Sequence, residues 1–129
     1  MSIFDWQEDY VIDNAMIDEQ HKRLLILAEK LFNAVIDQSE DTKIFFDELL
    51  AYTQKHFDDE EAYFKNAGAT GWQHHAREHQ TLAEELLDVW KKEALGFQSE
   101  KGRILLNWVE ERLLPHMMID DQETFATCS

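Results

Sequence analysis

Histidine is the residue whose spacing in this chain points most directly to chemistry. Two pairs of possible metal ligands are four positions apart and two further histidines stand singly: His56 with Glu60, His75 with His79, and then His21 and His116. Residues at i and i+4 share one face of a helix, so each pair can direct two ligands at a single point. This spacing predicts a metal site.

Four amphipathic segments are available to position these side chains. Apolar residues recur in them at helical spacing and predict helices over about 18–38, 42–66, 71–93 and 99–121. Asp41 or Thr42 offers an N-cap for the second helix, and a glycine-containing loop over 66–71 separates the second from the third. Residues 1–17 lack clear periodicity and read as an aromatic N-terminal arm.

Four helices joined by short loops favour an all-α, up-down-up-down four-helix bundle, with residues 1–129 forming a single domain. His21 lies near the start of the first helix, and His56 and Glu60 near the end of the second. The pair in the third helix lies near its start, and His116 near the end of the fourth. Because successive helices run antiparallel, these positions meet at one end of the bundle.

Helix phase decides which side chains of the third helix point inward. His75 with His79 and His74 with Glu78 are overlapping pairs about 100° apart in rotation. Extending the first pair reaches leucines and a tryptophan, whereas extending the second reaches polar and charged residues. We therefore expect the first pair to face the core and His74 to face outward. The same phase argument, applied to the second helix, places Glu60 within the apolar stripe of that helix.

Composition limits the classes of function. The formal net charge is −15, from 27 acidic and 12 basic residues, which disfavours nucleic acid and anionic membranes as partners. Cys128 is the single cysteine, so we expect no intrachain disulfide and no cysteine-held iron–sulfur cluster. No apolar run approaches the ~18 residues of a membrane helix and no signal-peptide pattern opens the chain. We expect a cytoplasmic protein that does not bind membranes.

A bound cation would satisfy the histidines and the acid that converge in the core. Buried polar groups must be paired, and buried charges cost several kcal/mol unless they meet the opposite charge. Imidazole and carboxylate without thiolate suit iron, zinc, copper or nickel, and spacing alone leaves these metals open. The number of candidate ligands is too large for one tetrahedral zinc but reasonable for two six-coordinate irons.

The motifs resemble the hemerythrin family over nearly the whole chain, and the length is similar to that of its single-domain bacterial members. The motifs are Ile17-Asp-Glu-Gln-His21, His56-Phe-Asp-Asp-Glu60, His75-Ala-Arg-Glu-His79, and His116 with Asp121. The resemblance implies two iron ions joined by an oxo or hydroxo bridge. It also implies the ligands: His75, His79 and His116 on one iron, His21 and His56 on the other, with Glu60 and Asp121 bridging.

The same resemblance implies reversible dioxygen binding, for carriage, storage, delivery or sensing, rather than enzymatic catalysis. The iron with two histidines would have an open position for dioxygen, and Leu113 and Met117 are candidates for the pocket wall. Asp121 is chosen on the family pattern. On a regular helix Asp120 stays near the face of His116, whereas i+5 is rotated about 140° away.

The sequence leaves two other functions open. A di-iron redox enzyme acting on peroxide or nitric oxide would use the same ligands. A zinc metallohydrolase is the less favoured alternative, because His75-Ala-Arg-Glu78-His79 also has the H-x-x-E-H form of inverted zinc peptidases. Arg112 and Pro115 depart from the usual pattern beside the pocket. The sequence leaves the protein partner and oligomeric state open, with a monomer as the default.

Overall fold

Helices account for nearly all of the chain that the computed structural model describes, which is residues 8, 11, 12, 14–95 and 103–128. Three long helices are α1 (Ala15–Ile36), α2 (Thr42–Asn66) and α3 (Trp72–Leu95), and α4 runs over 103–125. Each packs against the next along the chain, and no strand occurs within these residues. The predicted all-α four-helix bundle is confirmed.

The first helix begins earlier than the sequence indicates. The Asn14 side chain accepts a hydrogen bond of 3.2 Å from the Ile17 backbone N–H, which caps the first turn. Helix α1 therefore starts at Ala15 rather than at residue 18, and it ends at Ile36 rather than at 38. The predicted arm thus loses 15–17 to the helix, and its aromatic residues Phe4, Trp6 and Tyr10 lie outside the described residues.

The turns between helices follow local hydrogen bonding and backbone geometry. Before α2, the Thr42 hydroxyl donates to the Ser39 carbonyl at 2.7 Å, while the Asp41 side chain makes no capping bond. Between α2 and α3, Gly68 and Gly71 have φ values of 69° and 74°, a left-handed region that glycine enters without a steric penalty. The chain can therefore reverse direction within a few residues.

The fourth helix is not a regular α-helix. Its segments are Arg103–Trp108 (α), Val109–Leu113 (π), His116–Asp120 (π) and Asp121–Phe125 (α). In the second π segment the Asp121 N–H donates to the His116 carbonyl, five residues back. Pro115 lies between the two π segments, where its ring would clash with the carbonyl four residues earlier in an α-helix. A wider turn relieves that clash.

Apolar side chains from all four helices fill the bundle, and the histidines form a polar layer at one end of it. Leu24, Leu49, Leu86 and Leu105 are 0–1% exposed and belong to one continuous apolar cluster. Fully burying each such side chain contributes about 1.5–3 kcal/mol. None of the described helices is both long and apolar enough to span a membrane. The apolar cluster thus supplies a rigid frame for the polar layer.

Candidate metal centre

All seven side chains that the sequence analysis selected as ligands are buried and lie together. None is more than 3% exposed: His21, His56, Glu60, His75, His79, His116 and Asp121. The side chain of His74, by contrast, is 71% exposed and pairs with Glu78 at 3.2 Å. The structure thus separates the two overlapping pairs of α3 as helix phase predicts.

The π segment brings Asp121 into this layer. Asp121 is fully buried, whereas the side chain of Asp120 is 42% exposed. The regular-helix argument that favoured Asp120 is wrong here, because one wide turn returns the i+5 residue to the face of His116. The Asp120 carboxylate instead lies 3.4 Å from Nδ1 of His116, on the outer side of the ring.

Glu60 divides its two oxygens between two groups of histidines. Its Oε1 lies 3.0 Å from Nε2 of both His75 and His79. Its Oε2 faces the other way, 3.3 Å from Nε2 of His56 and 3.6 Å from Nε2 of His21. One carboxylate therefore contacts both groups at once.

Asp121 divides its oxygens in the same way. Its Oδ1 is 2.8 Å from Nε2 of His75 and 3.0 Å from Nε2 of His116, while Oδ2 is 3.0 Å from Nε2 of His21. The result is a three-histidine group and a two-histidine group that share both carboxylates. Within each group one ligand atom per residue lies within 4.8 Å of all the others: His75, His79 and His116 form one with the two acids, and His21 and His56 form the other.

These inward-facing atoms fit cations. Nε2 of His79 and Nε2 of His116 approach to 3.1 Å, which places two ring nitrogens against each other. Oε2 of Glu60 and both oxygens of Asp121 contact imidazole nitrogens, but none of these contacts has hydrogen-bond geometry among the described residues. Buried carboxylate oxygens that accept no well-formed hydrogen bond are costly. Imidazole nitrogen and carboxylate oxygen without thiolate form a suitable donor set for first-row transition metals.

The electrostatics of the layer favour positive charge at two of its histidines and negative charge on Glu60. Burial lowers the pKa of His21, but the close contacts and negative charges of Asp121 and Glu60 outweigh burial and raise that pKa to about 9. The same balance raises the pKa of His75 to about 9, whereas burial dominates at His56 and lowers its pKa. Burial would raise the pKa of Glu60, yet close contacts with four histidines hold it well below its usual range. The carboxylates are therefore ionised and attract protons or metal ions.

Three of the outer ring nitrogens have hydrogen-bond partners that sequence reasoning missed. Nδ1 of His56 lies 2.7 Å from Oε1 of Gln20, and Nδ1 of His79 lies 2.8 Å from a carboxylate oxygen of Glu61. Nδ1 of His75 lies 2.9 Å from the Thr124 hydroxyl. Metal-binding histidines usually have such partners, which orient the ring and select the tautomer. Gln20 and Glu61 are direct sequence neighbours of candidate ligands, which is the one signal that could have indicated them.

Apolar and aromatic side chains enclose the layer. Phe57 stacks on His79 with ring centroids 4.0 Å apart, and Phe64 presents its edge to His75 at 4.8 Å. Leu113 and Met117, the two candidates for the pocket wall, are buried in the apolar cluster of the bundle. The centre is therefore screened from solvent.

Comparison with known proteins agrees with this geometry. Residues 13–128 match a family model described as the Hemerythrin HHE cation binding domain. A bacteriohemerythrin of Campylobacter jejuni subsp. jejuni serotype O:23/36 (strain 81-176) is 28% identical over 118 residues, 87% of this chain and 85% of the relative. A bacteriohemerythrin of Stenotrophomonas maltophilia (strain R551-3) is 28% identical over 125 residues, 95% of this chain and 79% of the relative. The helical bundle, its layer of histidines and carboxylates, and a family match over most of its length show that this chain belongs to the hemerythrin family.

Proposed function

We propose that this protein binds dioxygen reversibly at a non-haem di-iron centre. The main observation behind the proposal is that Glu60 and Asp121 each present one carboxylate oxygen to each histidine group. Two carboxylates that face both groups suit a pair of neighbouring metal ions better than a single ion. The family model, which describes a cation-binding domain, supports the same conclusion.

The proposed ligands follow from the two groups. His75, His79 and His116 would hold one iron, His21 and His56 would hold the other, and Glu60 and Asp121 would bridge them. When bound, the reduced iron pair supplies two electrons to dioxygen. The second iron would have one protein ligand fewer than the first, so we place the dioxygen site on the side of His21 and His56. Leu113 and Met117 would form part of its apolar wall.

The scarcity of other buried polar groups supports reversible binding rather than reduction. Among the described residues, the buried polar side chains outside the proposed ligands are Gln20 and Thr53. The Thr53 hydroxyl donates to the Leu49 carbonyl at 2.6 Å, and the Gln20 amide is not an acid. General acid catalysis needs a positioned proton donor. The described core offers none beyond the ligands, so we propose a dioxygen-binding protein rather than an enzyme.

The position of Glu78 supports dioxygen binding over hydrolysis. In an H-x-x-E-H hydrolase the glutamate would act near the metal-bound water. Here Oε1 of Glu78 lies 3.2 Å from His74, and Oε2 lies 4.0 Å from Nδ1 of His116, the outer side of that ring. Glu78 therefore does not face the Nε2 atoms that converge in the layer.

Absorption spectroscopy with metal analysis tests the proposal. Protein loaded with iron under anaerobic conditions should contain two irons per chain and be nearly colourless. Air should produce a visible charge-transfer band, and removal of oxygen should abolish it over repeated cycles. Irreversible oxidation without that band, or sustained consumption of peroxide or nitric oxide with an electron donor, would contradict a carrier. A variant at exposed Glu48 on α2, Glu48→Gln, should give the same metal content and the same reversible band as wild type.

A further inference from the structure

The two histidine groups differ in what lies behind their rings. In the three-histidine group, Nδ1 of His79 faces the Glu61 carboxylate at 2.8 Å, Nδ1 of His116 lies 3.4 Å from the Asp120 carboxylate, and Nδ1 of His75 faces the Thr124 hydroxyl at 2.9 Å. In the two-histidine group, Nδ1 of His56 faces the neutral amide of Gln20 at 2.7 Å. Nδ1 of His21, like Nδ1 of His116, makes no hydrogen bond with the described residues. Two carboxylates therefore lie behind the three-histidine group, and none lies behind His56.

A short chain of contacts fixes the orientation of the Gln20 amide. Lys55 Nζ donates to Oδ2 of Asp59 at 2.7 Å, and Nε2 of Gln20 donates to the same oxygen at 2.8 Å. An ionised carboxylate only accepts hydrogen bonds, so the NH₂ group of Gln20 must face Asp59. The amide oxygen then faces His56, and Nδ1 of that ring must carry the proton.

This tautomer prepares His56 for metal binding. With the proton on Nδ1, the lone pair of Nε2 points into the layer, where Oε2 of Glu60 lies 3.3 Å away. Gln20 is 7% exposed, so water competes little for its amide. The amide holds the ring and its tautomer, as the outer partner of a metal-binding histidine does.

The charge of the outer partner affects the metal that the ring binds. A carboxylate that accepts the Nδ1 proton raises the basicity of the imidazole and stabilises the more highly charged metal ion, and a neutral amide does so less. We propose that Gln20 is a positioning residue that orients His56 and makes the two-histidine position the weaker and more easily reduced of the two. The proposal rests on the proposed function in requiring two metal ions per chain.

Metal titration separates positioning from mere packing. In anaerobic titrations with Co²⁺, wild type should bind two ions per chain. Gln20→Leu, which keeps a similar volume without the hydrogen bond, should weaken the second ion about 10–100-fold and leave the first unchanged. Gln20→Glu combined with Asp59→Asn, which keeps an acceptor behind His56 and a donor between the two side chains, should bind the second ion as wild type does. The exposed ion pair of Lys43 and Asp47 on α2, the helix of His56, provides a control, Lys43→Gln.

Redox titration of the iron-loaded protein measures the midpoint potential, which a role of Gln20 in packing alone would leave unchanged. The double variant Gln20→Glu with Asp59→Asn should lower the midpoint potential by stabilising ferric iron, and the opposite exchange behind His79, Glu61→Gln, should raise it. Circular dichroism checks that each variant is folded. Wild-type affinity for both ions in Gln20→Leu, or an unchanged midpoint potential in the double variant Gln20→Glu with Asp59→Asn, would overturn the positioning role. Fewer than two ions in wild type would instead overturn the proposed function, and this proposal with it.

Discussion

At the scale of single residues, the centre depends most on Glu60. Its two oxygens contact four imidazoles from three helices, His21 on α1, His56 on α2, and His75 and His79 on α3. Truncating a histidine would remove one of these contacts, whereas changing Glu60 alters both groups together. The two proposed metal sites should therefore be coupled through this side chain.

The variant Glu60→Gln tests that coupling. It preserves the volume of the side chain but turns one oxygen into an amide nitrogen, which carries hydrogens and cannot act as a metal ligand. We expect the folded variant to lose at least one of the two ions, as measured by metal analysis after gel filtration. Retention of both ions in Glu60→Gln, with unchanged affinity, would show that Glu60 does not bridge.

Residue spacing predicts the inward side chains, but not the partners behind them. The i, i+4 pairs on α2 and α3 follow from helix geometry alone, as does the outward position of His74. Gln20 reaches His56, and Glu61 reaches His79, across helix interfaces. Those contacts depend on the rotation of one helix against another, which no spacing within one helix encodes.

At the scale of helices, the π segment of α4 determines which aspartate joins the centre. A regular helix would place i+4 near the face of His116, yet Asp121 at i+5 is buried and Asp120 is half exposed. The sequence predicts a helix in this region, but its periodicity does not reveal one widened turn. Pro115 is a local cause of the first π segment that could be recognised in the sequence, whereas the second π segment, which moves Asp121, has no such signal.

Deleting one exposed residue inside the π segment should be tolerated. Removal of Ile119, whose side chain is 54% exposed, places Asp121 at i+4 from His116, where a regular α-turn returns it to the same face. We expect the deletion variant to bind two ions per chain, with helical content by circular dichroism close to wild type. Insertion of one alanine after Ile119 is the matched opposite change and should remove metal. Loss of metal in the deletion variant, with retention in the insertion variant, would refute this account of the wide turn.

At the scale of the whole molecule, the apolar cluster and the polar layer make different contributions to the stability of the fold. Phe46 and Trp90 stack with ring centroids 4.6 Å apart within the cluster, and Leu86 is fully buried there. The surface adds little, because exposed pairs such as Lys43 with Asp47 typically contribute about 0–1 kcal/mol. The fold should therefore depend mainly on the cluster, and the geometry of the layer on the metal.

A core substitution should lower stability without changing metal stoichiometry. Leu86→Ala removes a fully buried side chain and should decrease the free energy of unfolding by about 2–5 kcal/mol in urea titrations. Leu87→Ala, at the neighbouring exposed position, is the control and should stay within about 0.5 kcal/mol of wild type. Both variants should bind two ions when folded. Loss of metal from folded Leu86→Ala would contradict the separation of the two regions.

Metal removal should have the complementary effect on the whole bundle. The layer buries two carboxylates and five imidazoles, and several of their atoms have no hydrogen-bond partner among the described residues. A bound cation offsets that cost only in the folded chain, so each site at a free-ion concentration about 100 times its Kd contributes about 2.7 kcal/mol. Chelation should therefore lower the Tm, by about 15–25 °C for wild type in calorimetry if both sites are occupied. Glu60→Gln should show a smaller decrease, because fewer of its ions remain to be removed. An equal Tm with and without metal in wild type would mean that protons shared between the imidazoles and carboxylates of the layer stabilise it as well as metal does.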